Sequence, residues 1–282
     1  MLGLQRLITE AKKRGVFLKV NIEEAEAIQE LTLKKLLTKA SSTAFGRIHR
    51  FEELQNSTNI LSDFQEVTEP GDYLKMLPWW TRSRLGEENV TWPGFIKNYA
   101  VSSGTSDGSS KYIPVSDQML KYIKRASVRQ VMSIAQTDVP KDHIAKKWLM
   151  IGGSTELEYN GMYYSGDLSG ITTGSVPILF QRLSKPGIQI RREKNWQEKI
   201  AKITDEAKDW DVGLVAGVPA WIKLLFESII DKYGLDNIHD LWPHFEAYIH
   251  GGVSLTPYRK SLDKLMGRPI RYFETYLASE GF

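Results

Sequence analysis

Residues 212–234 are VGLVAGVPAWIKLLFESIIDKYG. A short apolar run, Val212 to Ala216, is broken by Gly217; Pro219 then opens a helix-length segment that Gly234 ends. Proline just inside the start and glycine just past the end is the punctuation helices favour. The same alternation continues downstream. Residues 245–249 form a second strand-like run ending in His250-Gly251-Gly252. Thr256 caps the next helix, with Pro257 at its first position and Gly267 at its close. Residues 270–276 give a third strand, which runs into Ala278-Ser279-Glu280-Gly281. Strands alternating with helices predict an α/β fold, a mostly parallel sheet with right-handed crossovers flanked by helices. The turns Gly217-Val218-Pro219, Gly251-Gly252 and Ser279-Glu280-Gly281 then share one edge, where open α/β sheets bind their ligands.

Upstream, residues 148–151 read as a buried strand ending in Gly152-Gly153. Ser116 caps a helix extending to Gln136, with Met119, Leu120, Ile123, Val128 and Met132 as its buried side. The first segment is helical. Asn21 is a candidate cap with Glu24 at the capping-box position, and Ile28, Leu31, Leu36 and Leu37 recur near helical spacing. Residues 55–63 are polar and predict a surface loop, while residues 74–94, rich in Trp, Pro and Arg, predict irregular but packed chain.

Between these segments lies SSGTSDGSSK, residues 102–111. Its two glycines, five serines and one threonine follow a strand-like approach through Phe95, Tyr99 and Val101. Such a loop turns backbone N–H groups and hydroxyls inward as a nest for an oxyanion, with Lys111 as a point charge. That chemistry suits polyphosphate. The spacing is not that of a Walker A loop, since Gly108 comes one residue early and Lys111 does not follow it directly. On composition alone a flexible Gly/Ser linker is the competing reading. The exit Tyr112-Ile113-Pro114-Val115-Ser116, strand-like and ending in a helix cap, favours an ordered loop.

The chain has 282 residues, 41% hydrophobic and 25% charged, so it suits a globular protein of one large domain or two. A net charge of +3, with cations scattered among acids, gives no basic block for nucleic acid. No run of about 18 apolar residues predicts a membrane span. The N-terminus lacks the signal-peptide pattern, so the expected location is the cytoplasm. Without cysteine, disulfides, thiolate nucleophiles and cysteine-held metals are excluded. The five histidines show no HExxH spacing; His239 and His244 read as surface or helix-end residues. Gly166-Asp167-Leu168-Ser169-Gly170 puts its serine one place late for a nucleophile elbow.

Taken in order, the Ser102-Ser103-Gly104-Thr105-Ser106 loop with Gly108, Lys111 and Pro114, the later Gly-Gly turn, and Tyr276-Leu277-Ala278-Ser279-Glu280-Gly281 resemble the adenylate-forming enzymes. With Thr43-Ala44-Phe45-Gly46 and Gly217-Val218-Pro219-Ala220-Trp221, the likeness is to the Gretchen Hagen family of auxin-responsive acyl-acid-amido synthetases. The resemblance implies the large N-terminal domain of such an enzyme, residues 1–100 helical and irregular, residues 101–282 nucleotide- and acyl-binding. It implies ATP and Mg²⁺, a small carboxylic acid activated as its acyl-adenylate, and an amine, usually of an amino acid, as acceptor. Ser102, Ser103, Gly104, Thr105 and Ser106 would hold phosphate oxygens and Lys111 would add charge. Gly251 and Gly252 would let backbone approach adenine, Tyr276 would stack on it, Ser279 would contact the α-phosphate, and Glu280 would bind Mg²⁺. Plain alternatives stand beside these roles: a tight turn for Gly251-Gly252, a core aromatic for Tyr276, a solvent-facing lysine at Lys111. Family members are longer; the ribose-binding aspartate, the hinge and the small C-terminal domain with its lysine fall outside this sequence. A fragment inactive by itself is the expectation. An acyl-CoA ligase and a non-catalytic ligand-binding or interaction module are the alternatives.

Overall fold

A computed structural model describes residues 24–102, 110–134, 136–173 and 182–280. Asn21, Ser103, Gly104, Thr105, Ser106, Gly108, Gly174 and Gly281 lie outside the described residues.

In chain order come helices α1 (Ala25–Ala40), α2 (Ala44–Ile48), α3 (Phe51–Leu54), α4 (Ile60–Val67) and α5 (Tyr73–Arg84), then strands β1 (Asn98–Ser102) and β2 (Lys111–Val115). Next are α6 (Asp117–Ile134), α7 (Lys141–Ile144), β3 (Lys147–Met150), β4 (Glu158–Tyr159), β5 (Tyr164–Gly166) and α8 (Leu168–Thr173). The remainder is β6 (Ser184–Lys185), α9 (Ile188–Arg192), α10 (Trp196–Glu206), β7 (Val212–Gly217), α11 (Pro219–Tyr233), β8 (Ala247–His250), α12 (Thr256–Lys264) and β9 (Arg271–Glu274).

The chain folds into two compact units. One holds the described residues up to Met119 together with Glu158–Ser165; the other holds Leu120–Leu157 and the chain from Gly166 onward. In the first unit, Leu37, Ala40, Phe51, Leu54 and Ile60 form a helical core. Thr43 caps α2, its hydroxyl accepting from the Gly46 N–H at 2.9 Å, which gives Thr43-Ala44-Phe45-Gly46 a structural role. The sheet of this unit has the order β2-β1-β5-β4. β1 and β2 are antiparallel with Ser102 opposite Lys111, so the glycine- and serine-rich loop joins the arms of a hairpin. Ile28 and Leu31, expected on the buried side of α1, are each 52% exposed, and Leu37 carries the packing instead. Residues 74–94 are not irregular throughout, because α5 runs through Pro78 to Arg84. The predicted polar loop ends at buried Ile60, which opens α4.

The second unit is built on a five-stranded sheet of order β6-β3-β7-β8-β9. Every pairing in it is parallel. Its central strands are buried on both faces, as crossovers require. One face packs Leu149, Val215 and Tyr248 against Ile222, Phe226 and Ile229 of α11, with Trp242 and Phe245. Each fully buried side chain of this size contributes about 1.5–3 kcal/mol. The Trp242 indole N–H, buried with them, donates to the Ala207 carbonyl at 3.0 Å, so no polar atom is stranded there. Trp148, Leu214, Ala247 and Ile249 point to the other face, beside Ile134 of α6 and Ile144 of α7. Pro219 and Gly234 bound α11 as the sequence predicts, Gly234 adopting φ 61° at the C-terminus. Gly217 closes β7 from within the strand rather than breaking it. Thr256 is the first residue of α12, not its cap; its N–H is met by the Ser254 hydroxyl at 3.3 Å.

Candidate functional site

Because β3, β7, β8 and β9 run parallel, their carboxyl ends share one edge of the second unit. On the α6 face of that edge lies a cavity of about 260 Å³. Its floor is Trp148 and Met150 of β3, Leu214 and Ala216 of β7 and Ile249 of β8, alternate residues that the strand period of two turns to the same side. Leu120, Ile123, Val128 and Val131 of α6 form an apolar wall, with Lys124, Ser127 and Gln130 of the same helix beside them; Thr172 and Thr173 of α8, with Thr275 and Leu277 beyond β9, complete the lining. Ala216 supplies little volume where its neighbours supply much, which opens the space. Of the predicted apolar side of α6, Leu120, Ile123 and Val128 belong to this wall, while Met119 and Met132 do not line the cavity. Tyr163 packs with Ile96 and Tyr99 in the first unit. The contribution of β3, β7 and β8 escaped the sequence reading, although the alternation of Leu214 and Ala216 carries it.

Gly251 and Gly252 follow β8 at this edge. A Cβ on Gly251 would meet the Thr275 carbonyl oxygen at 2.4 Å, and Gly252 has φ 81°, so both glycines serve the turn itself. Just before them His250 is buried; its Nδ1 has no hydrogen-bond partner, and burial holds its pKa below the ordinary histidine value. Tyr276 is 79% exposed, which removes the core-aromatic alternative, whereas Tyr272 packs against the sheet. Glu280 is exposed and Ser279 partly buried. Among the described residues no group of three or more His, Asp or Glu side chains is arranged to hold a metal.

In the first unit Ser102 and Lys111 face each other across the hairpin. The Lys111 ammonium lies 5.4 Å from the Tyr73 ring centroid, and the Tyr73 hydroxyl accepts from the Tyr112 N–H at 3.2 Å. Arg84 stacks on Tyr112 at 4.1 Å, and its Nε–H donates to the Tyr163 hydroxyl at 3.3 Å. Ser103, Gly104, Thr105 and Ser106 are outside the described residues.

An open parallel sheet with an apolar crevice at its carboxyl edge defines a ligand-binding α/β protein. The chain belongs to the GH3 family: residues 17–172 match the GH3 family N-terminal domain. Its fold is that of the adenylate-forming enzymes. The acyl acid amido synthetase AtGH3.15 in complex with 2,4-DB is similar with TM-score 0.73 and 12% identity, over 98% of this chain and 56% of that one. An open conformation of 2-hydroxyisobutyryl-CoA ligase in complex with 2-HIB-AMP and CoA is similar with TM-score 0.58 and 12% identity, over 93% of this chain and 55% of that one. The chain therefore spans about half the length of the structures it matches. No curated protein matches it.

Proposed function

We propose that this chain is the acid- and nucleotide-binding part of an ATP-dependent acyl-acid amide ligase. In this reaction the carboxylate of the acid attacks the α-phosphorus of ATP, pyrophosphate leaves, and an amine then displaces AMP from the acyl-adenylate to give the amide. The apolar cavity at the sheet edge carries the assignment. It suits the body of a hydrophobic acid, whose carboxylate would stay among the polar lining groups, which include Thr172, Thr173, Thr275 and Lys124. The edge also fits a nucleotide: exposed Tyr276 offers a stacking face, and the unpaired His250 Nδ1 is a buried polar atom in need of a partner.

Family membership and the hairpin geometry support assigning phosphate contacts to Ser102, Ser103, Gly104, Thr105 and Ser106, with Lys111 adding charge. Ser279 is assigned to the α-phosphate. Mg²⁺ is ordinarily held by one or two carboxylates together with phosphate oxygens, so the single exposed Glu280 is a sufficient protein ligand. When bound, the ion would neutralise charge on the departing pyrophosphate. What the chain's own residues do is position and desolvate: the cavity orients the acid and excludes water from it.

The likeness to a CoA ligase keeps thioester formation as the second reading. AMP formation by the intact protein, with a panel of hydrophobic acids and either amino acids or coenzyme A, separates the two. Amino-acid-dependent AMP and amide are expected; AMP that depends on coenzyme A alone would transfer the chain to the ligase reading.

A further inference from the structure

The cavity at the sheet edge has a polar middle. Along α6, lining residues recur at Leu120, Lys124, Ser127 and Val131, the steps of four and three that keep one stripe of a helix toward one neighbour. Val131 and Ile134 pack with Trp148, Leu214 and Ala247 toward the starts of their strands, so α6 descends from the carboxyl edge at Leu120 to the amino end. The stripe is therefore apolar at both ends and polar between them. Lys124 and Ser127 are exposed as well as lining, which puts them where the cavity meets solvent.

The two polar groups are complementary in what they lack. Among the described residues Lys124 forms no hydrogen bond or ion pair, and an ammonium can only donate. The Ser127 hydroxyl donates to the Ile123 carbonyl at 3.0 Å, so toward the cavity its oxygen can only accept. Residues three apart on a helix have Cβ atoms about 5–6 Å from each other, close enough for both side chains to reach one ligand atom. A ketone or ether oxygen would satisfy Lys124 alone, and an ammonium would be repelled by it. A hydroxyl serves both.

The acid's carboxylate has other partners. Thr275 follows β9, and Thr173 stands beside Gly152 and Gly153, which follow β3, so both threonines mark the carboxyl edge where a nucleotide would meet the acid. With about 30 Å³ for each group the size of a water molecule, the 260 Å³ cavity takes about nine such groups, the body of a ten-carbon acid.

We infer that the acid held in this cavity carries a hydroxyl midway along its apolar body, accepting from the Lys124 ammonium and donating to the Ser127 oxygen. This assignment rests on the acid-binding reading of the cavity and names the class of acid.

Calorimetric titration of the intact protein with decanoic acid and with its monohydroxy isomers tests this. Isomers hydroxylated near the middle of the chain should bind about tenfold tighter than decanoic acid, the return of one charge-assisted hydrogen bond at an open site. Isomers hydroxylated at the far end should lose that margin. Lys124→Met and Ser127→Ala should each reduce it; both positions are exposed on a helix, where such changes disturb folding little. Equal affinity for decanoic acid and every isomer, or an undiminished margin in both variants, would overturn the hydroxyl assignment and leave the acid cavity standing. Binding of none of these acids, or binding that Ala216→Leu leaves unchanged, would remove the acid from the cavity and this assignment with it.

Discussion

His239 is held in one protonation state by its neighbours. The Gly267 N–H points at its Nδ1 at 3.0 Å, so the ring proton sits on Nε2, which donates to the Phe245 carbonyl at 3.0 Å. A second proton, on Nδ1, would confront the Gly267 N–H. Burial adds to this and holds the pKa below 6.5. With a depressed folded pKa, the associated stability is complete above the unfolded value of about 6.5 and is lost as pH falls toward and through the folded one. Tm should therefore drop between pH 7 and pH 5. His239→Gln should lower Tm at pH 7, costing about 1–3 kcal/mol for two hydrogen bonds, and flatten part of that drop. A variant with the parent's pH slope would remove His239 from the explanation. The sequence reads His239 as a surface or helix-end residue and says nothing of Gly267 or Phe245, because its partners are fixed by the fold. Tyr276 became a candidate through the family resemblance alone, and the sequence placed it inside the third strand. In the structure it lies two residues beyond β9, where the sheet edge leaves its side chain exposed.

At the scale of elements, legibility follows punctuation. α11 could be placed from Pro219 and Gly234, and β2 from the ordered exit of the glycine-rich loop. α5 could not, because Pro78 stands inside it and Trp79-Trp80 blur its period. Proline is accommodated there because Pro78 and Leu74, one turn earlier, are both exposed, so the carbonyl that loses its partner meets water. α4 was hidden for another reason: its apolar residues Ile60, Phe64 and Val67 straddle the end of a polar stretch. The cavity at the sheet edge draws on five elements at once and on the segment beyond β9, and its floor alternates along strands whose neighbours no local window contains. Ala216 is where it can be tested. Ala216→Leu projects from β7 into the cavity and should weaken binding of a bulky acid at least tenfold, within the 1–3 kcal/mol that such steric changes carry. Tm should change little, since the added carbons fill existing space. Calorimetric titration with an acid that the intact protein activates checks this; undiminished affinity would place the acid elsewhere.

Over the whole molecule, the α/β class and the parallel sheet were readable, since the repeating strand–helix pattern from β7 to β9 dictates them. The division into two units was not. Glu158–Ser165 belongs with the N-terminal elements although the chain on both sides of it belongs to the other unit. No composition change marks that excursion. It has a temporal consequence. β1 pairs with β2 almost as soon as both exist, but its other neighbour, β5, is synthesised only after α6, α7 and β3. While the ribosome works through those elements, one side of β1 presents unpaired backbone, available to any extended segment nearby. A chain stopped after Ile151 should be cleaved by protease within β1, and a chain stopped after Thr173 should be protected there. Equal protection in both would mean that the hairpin needs no second neighbour. The first unit to emerge is thus completed by a late instalment, and the interval before it arrives is set by the pace of translation.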